Sequence, residues 1–110
     1  MINIKIAIVL SISLFWMPNA NACTEDRAQV IKNNTDLMKE PSKNSKVILK
    51  LPNNFDEIQG CITNDSSRQD YKIDKSGNQW NYVDATIRDR KVKGWVMTNR
   101  IKVTKHCCQS

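Results

Sequence analysis

The chain has 110 residues, with 17 Lys+Arg against 11 Asp+Glu, a formal charge of +6, one His and four Cys. That is room for one small domain, and it argues against a multidomain enzyme, a polytopic membrane protein and, with no sustained heptad, a coiled coil. Apolar residues are unevenly spread: 15 fall within residues 1–22 and 29 among the other 88, so the two stretches are different objects.

Residues 1–22 read as an export leader. Lys5 forms a short positive region, residues 6–17 are apolar apart from Ser11 and Ser13, and Pro18 breaks the helix. Ala20-Asn21-Ala22 then sets small residues at the two positions a signal peptidase reads. About 12 apolar residues span roughly 18 Å as a helix, too short for a bilayer core. Cleavage after Ala22 would leave 88 residues beginning at Cys23, with no transmembrane span. Ala20 and Asn21 depart from a lipobox, which favours soluble export, periplasmic or secreted, over lipid attachment at Cys23.

The remainder is patterned with period two, and no ten-residue segment holds a clean helical period. Strands are expected at 28–32, at a short extended piece 37–40 stopped by Pro41, and at 46–51, where Val47, Leu49 and Leu51 would share a face. Pro41 to Ser45 is turn chemistry. A further strand is expected at 56–63, with Ile58 and Ile62 inward. Residues 64–79 form a long polar insertion that can hold a short strand at Tyr71-Lys72-Ile73. Within it, Asp74-Lys75-Ser76-Gly77-Asn78 fits an ordinary glycine turn better than a calcium loop, because the distal bidentate acid is missing. Residues 80–87 and 91–97 flank a turn at Arg88-Asp89-Arg90 and form a hairpin, and 101–104 is the last strand. Six or so short strands imply a small all-β barrel.

The hairpin carries most of the functional information. Val83, Ala85 and Ile87 share one face of its first strand, and Val92, Gly94 and Val96 one face of its second, which makes the natural core side. Trp80, Tyr82 and Asp84, with Lys91, Lys93, Trp95 and Met97, then fall on the opposite side, and Arg88 and Arg90 at the tip. The candidate binding residues are therefore Trp80, Tyr82, Trp95, Lys91, Lys93, Arg88 and Arg90, with core packing an equal alternative for Trp80 and Trp95.

All four cysteines, Cys23, Cys61, Cys107 and Cys108, follow the leader, and in an oxidising compartment they read as two disulfides. A Cys107–Cys108 bond would close a strained ring of eight atoms. Cys23 and Cys61 are thus each expected to pair with one C-terminal cysteine, in an order left open, and the chain ends must be neighbours. The competing reading takes His106-Cys107-Cys108 as a copper or zinc ligand set or a redox centre, but it lacks a spaced pair of the C-x-x-C kind.

Three pieces of this chain resemble a known family. Asp36-Leu37-Met38-Lys39-Glu40-Pro41-Ser42-x-x-Ser45-Lys46-Val47-Ile48 resembles the L-N-V-R-x-G-P-S-x-x-S-x-V-I opening of bacterial Src-homology-3-like (SH3b) domains. Trp80-x-x-Val83, and Gly94-Trp95-Val96 closing with Ile101, resemble that family's W-x-K-V and G-W-V-x-x-x-x-L signatures. The resemblance covers residues 28–103. It implies an SH3-like barrel of five to six strands with adjacent termini, and a non-catalytic binder of cell-wall peptide or of another protein.

No grouping calls for an enzyme or a cofactor. Asp56 and Glu57 are adjacent on an expected strand and point apart, and His106 is the only histidine. Without Lys5 the charge is +6 less one, or +5. A basic barrel with exposed aromatics can stack single-stranded nucleic acid, yet export removes it from such partners. The expected partner is an envelope protein, met as an inhibitor, an immunity protein or a secretion-assembly component, with a peptidoglycan peptide as the alternative. Wall-targeting modules are usually fused to hydrolases, and no second domain is legible here.

Overall fold

The computed structural model describes residues 23–108; the leader and cleavage site expected from the sequence lie outside them. Eight strands follow in chain order: β1 Asp26–Val30, β2 Thr35–Met38, β3 Val47–Leu51, β4 Ile58–Gly60, β5 Tyr71–Ile73, β6 Gln79–Ile87, β7 Arg90–Met97 and β8 Ile101–Lys105. One 3-10 turn, Thr98–Arg100, links the last two. The fold is all-β, as expected. There are eight strands rather than five or six, because the pieces at 37–40 and 71–73 both form ladders of their own.

The ladders are antiparallel, in the order β3-β2-β7-β6-β4-β1-β8, with β5 on β6. β6 is the spine. β7 runs along one side of it from Trp80↔Met97 to Ile87↔Arg90, while β5 covers the start of the other side and β4 its far half. The sheet is open among the described residues: β3 and β8 are its two edges, and no ladder joins them.

The inner face carries Ala28, Val30, Leu37, Leu51, Ile58, Val83, Ala85, Val96 and Ile101, all buried. This is the alternation expected for the hairpin, with Val83 and Ala85 fully inside. Gly94 has a separate reason. A Cβ there would lie 2.6 Å from Leu37 Cγ and 2.9 Å from the Met38 carbonyl oxygen, so glycine is what lets β2 cross this closely. β3 departs from the expected pattern. Leu37 opposes Leu49 but Met38 opposes Val47, which leaves Ile48 as an extra residue. The bulge shifts the alternation and takes Val47 off the face of Leu51, leaving Val47 and Ile48 about 40 % exposed.

The hairpin turn is also tighter than the sequence implied. Arg90 belongs to β7, and only Arg88 and Asp89 make the loop, with φ of 50° and 65°. Both are left-handed, the form of a two-residue type I′ turn whose twist matches the flanking strands.

The β4-β1-β8 neighbourhood explains the cysteines. Antiparallel pairing sets the start of β1 beside the ends of β4 and β8, through Asp26↔Gly60 and Arg27↔Lys105. Cys61 follows β4, Cys23 precedes β1, and Cys107 and Cys108 follow β8, so all four meet at one end. The bonds are Cys23–Cys107 and Cys61–Cys108, each with Cα atoms 5.4 Å apart. They tie the two ends of the domain together and point to an oxidising, non-cytoplasmic environment. No helix among the described residues is long and apolar enough to cross a membrane.

Candidate binding site on the hairpin

Cross-strand register builds the site. On the outer face, Trp80 opposes Met97, Tyr82 opposes Trp95, Asp84 opposes Lys93, and Thr86 opposes Lys91. Tyr82 and Trp95 are therefore direct neighbours, with ring centroids 5.2 Å apart and planes tilted by 54°. Such a pair is held by its own edge-to-face attraction as well as by burial. Tyr82 is 38 % exposed and Trp95 half-buried, so the rings are fixed yet accessible.

Beside them lies an open hollow of about 630 Å³, lined by Tyr82, Trp95 and the loop residues Ser67, Arg68, Gln69 and Asp70. The loop is held to the hairpin by the Tyr82 backbone N–H, which donates to the Asp70 carbonyl at 2.9 Å. Arg68 Nη2 lies 3.3 Å from Asp70 Oδ2, an ion pair at the lip. Asp65 stiffens the preceding turn by accepting from the Ser67 N–H at 3.0 Å and its hydroxyl at 2.7 Å, and these bonds lower its pKa. The polar insertion thus supplies half the hollow. Its run of Asn, Asp and Ser residues marked it as a loop, but no sequence pattern assigned Arg68 or Asp70 to a site.

Charge continues toward the tip. Lys93 pairs with Asp84 at 3.5 Å, while Lys91, Arg88 and Arg90 are exposed. The site is an aromatic pair with cations on the tip side and a polar loop on the other.

Trp80 does not join it. Although it shares the outer face with Tyr82, it is only 2 % exposed. Its Nε1–H donates to Asp74 Oδ2 at 2.9 Å. Asp74 Oδ1 in turn accepts from the backbone N–H groups of Ser76 and Asn78, both at 2.9 Å, and Asn78 Nδ2 donates to Oδ2 at 3.0 Å. Residues 74–78 are thus a turn folded around one carboxylate, with Gly77 at a φ of 87°. The bond from Trp80 is the largest influence on Asp74. With those from Asn78 and Ser76 it outweighs desolvation and brings the pKa down to about 2. The outer face is covered here, so the rule that alternate residues share a face holds while the inference of exposure fails.

His106, Cys107 and Cys108 meet a buried carboxylate. Asp26 is 0 % exposed. Its Oδ1 accepts from the backbone N–H of Cys107 at 2.7 Å and of Cys108 at 2.9 Å, and lies 2.9 Å from His106 Nδ1; Oδ2 accepts from the Ile62 N–H at 3.1 Å. Desolvation is the largest single influence and raises the Asp26 pKa. The bonds from Cys108, Cys107 and Ile62, with attraction to His106, together prevail and lower it. Both C-terminal sulfurs are bonded to other sulfurs, so they offer no thiolate to a metal. No group of three potential metal ligands occurs among the described residues.

No protein-family model matches the chain, and no curated protein and no solved structure shows significant similarity to it.

Proposed function

We propose that this is an exported, non-catalytic SH3b-like binding module that engages a protein partner in the bacterial envelope, as an inhibitor, an immunity protein or a secretion-assembly component. The observation that carries the reading is the Tyr82–Trp95 pair, fixed at 5.2 Å, accessible, and bordered by the 67–70 loop. Tyr, Trp and Arg are the residue types that dominate binding energy at protein interfaces, since rigid rings lose little entropy when covered. The cations at Arg88, Arg90 and Lys91 suit an acidic rim on the partner, speeding encounter and setting orientation. The leader at residues 1–22 and the two disulfides support export.

The test is capture from envelope extract by the exported, disulfide-bonded protein, with Tyr82→Ala and Trp95→Ala as comparisons. A partner retained by the native protein and lost by both variants, with melting temperatures nearly unchanged, is the expected result. Sedimentation with purified sacculi separates the wall-peptide alternative. Pelleting that depends on Trp95 would replace the protein-partner reading, and unfolding of Trp95→Ala would make that residue a packing element instead.

A further inference from the structure

The ladders that build the core also assemble a basic surface from β7 and from the two terminal strands. Ile58 opposes Ala85 on the inner face, and both are fully buried, so the residues beside them point outward. Lys93 opposes Asp84, Asp84 opposes Gln59, Gln59 opposes Arg27 and Arg27 opposes Lys105. That row crosses β7, β6, β4, β1 and β8 on the outer face. Beside it, Lys91 opposes Thr86 at one margin and Lys102 opposes Gln29 at the other. A bulge in β8 makes this possible. Arg27 pairs with Lys105 and Ala28 with Val103, so Thr104 is passed over and Lys102 and Lys105 share a side. Four lysines therefore stand at the corners of one sheet face, whose margins lie about 19 Å apart across four strand spacings.

The charge on this face is unbalanced and accessible. Arg27 lies 3.2 Å from Glu57 and Lys93 3.5 Å from Asp84, so each carboxylate already has a cation. Lys91, Lys102 and Lys105 have no carboxylate partner among the described residues, and all four lysines are exposed. Five cations against two carboxylates leave a surplus of three, out of five for the whole chain after residue 22, so most of the excess charge sits here. Ammonium groups at opposite margins cannot share one small anion. Lysine is also depleted at protein interfaces, where arginine is the favoured cation. An extended anionic surface meets all four corners at once and needs no built pocket. We infer that this face docks on an anionic phospholipid surface through Lys91, Lys102 and Lys105, with Lys93 beside them. The two disulfides point to a compartment where such surfaces, rather than nucleic acid, are the extended polyanions. Docking goes beyond the protein-partner reading and does not rest on it, because the Tyr82–Trp95 pair only borders the face, two residues beyond Asp84 and Lys93.

The test is co-sedimentation of the exported, disulfide-bonded protein with vesicles of phosphatidylcholine alone and of phosphatidylcholine mixed equally with phosphatidylglycerol. Binding to the mixture alone is expected at about 0.1 M salt, with release at about 1 M. Lys91→Gln, Lys102→Gln and Lys105→Gln together should weaken binding by about fivefold per lysine, roughly a hundredfold in all. Lys39→Gln, Lys43→Gln and Lys46→Gln make the same charge change at exposed positions between β2 and β3. That triple variant should cost about threefold at most, since charges turned away from the lipid are screened. Tyr82→Ala, expected to lose the protein partner, should keep its vesicle binding, so the two readings fail separately. Binding to both kinds of vesicle alike, binding to neither, equal loss in the two triple variants, or loss in Tyr82→Ala alone would each overturn the assignment. Tighter binding to oligothymidylate or to polyglutamate at the same salt would also overturn it.

Discussion

Asp26 Oδ1 accepts the backbone N–H of Cys107 at 2.7 Å, from a side chain with no solvent exposure. The same oxygen accepts from Cys108, and Oδ2 accepts from Ile62, the residue after Cys61. One carboxylate therefore holds the backbone at or beside three of the four cysteines, and the fourth, Cys23, lies three residues ahead of it. Removing it leaves buried N–H groups without acceptors. Asp26→Ala is expected to destabilise the oxidised protein by about 2–4 kcal/mol, read by chemical denaturation. Because the folded carboxyl titrates below its ordinary value, its contribution is complete above that ordinary value and is lost as pH falls through the folded one.

The same arrangement selects the pairing. With Cys107 and Cys108 both held by Asp26, one sulfur reaches Cys23 and the other Cys61. Replacing Cys23 and Cys107 by serine should leave a Cys61–Cys108 bond that forms fully on refolding. Replacing Cys23 and Cys108 instead would force a Cys61–Cys107 bond, expected to form slowly and to give a less stable protein. Free-thiol titration and melting temperature are the readouts, and equal behaviour of the two variants would contradict a directing role for Asp26.

Gly94 answers to a different constraint, the space between β7 and β2. Gly94→Ala places a methyl group against Leu37 Cγ and the Met38 carbonyl oxygen, one of them backbone that cannot rotate aside. The expected cost is roughly 1–3 kcal/mol in a denaturant titration. A neutral result would mean that β2 shifts freely on β7.

The hairpin tip is open to improvement. Arg88 and Asp89 both adopt positive φ, which Asn and Gly accept at lower cost. Replacing Arg88-Asp89 with Asn-Gly should stabilise the protein by about 0.5–1 kcal/mol, read as a higher melting temperature. The double variant removes Arg88 and Asp89 together and leaves the net charge of the tip unchanged, so the gain in stability reads the backbone alone. Arg88→Asn by itself lowers the tip charge by one, and comparing the two separates the roles of charge and backbone.

Acid should release Trp80. The Asp74 pKa stands at about 2, against an ordinary value of 3.8. A depressed carboxyl stabilises the fold above its ordinary value, and the contribution is lost as pH falls from there toward 2. Indole fluorescence in a Trp95→Phe background should change across that window, and Asp74→Asn should flatten the profile. An unchanged profile in the variant would place the acid-sensitive group elsewhere.

Much of this fold is legible in the sequence, and the reason is local. A two-residue period needs only the strand itself to express it, so the hairpin faces, the turn at 74–78 and the short strand at Tyr71 to Ile73 were all readable. The register of Tyr82 on Trp95 was not: a turn at 88–90 would set Tyr82 opposite Val96, and only the two-residue loop of Arg88 and Asp89 sets it opposite Trp95. What failed was anything that depended on a second segment arriving. Trp80 obeys the alternation yet is covered, where the turn at 74–78 brings Asp74 onto its indole N–H. Val47 lost its expected face to a bulge that no pattern in β3 announces. Arg68 and Asp70 entered the site only because β5 docks the polar insertion against β6.

The cysteines mark the same boundary. Their number, their positions at 23, 61, 107 and 108 and the strain of an adjacent pair were enough to require that the chain ends meet. Which sulfur bonds which was decided by the β4-β1-β8 order and by Asp26, which brings residues 26, 62, 107 and 108 to one carboxylate. Composition and spacing act along the chain, whereas pairing, burial and a shared hollow are properties of segments far apart in sequence, and only packing brings those together.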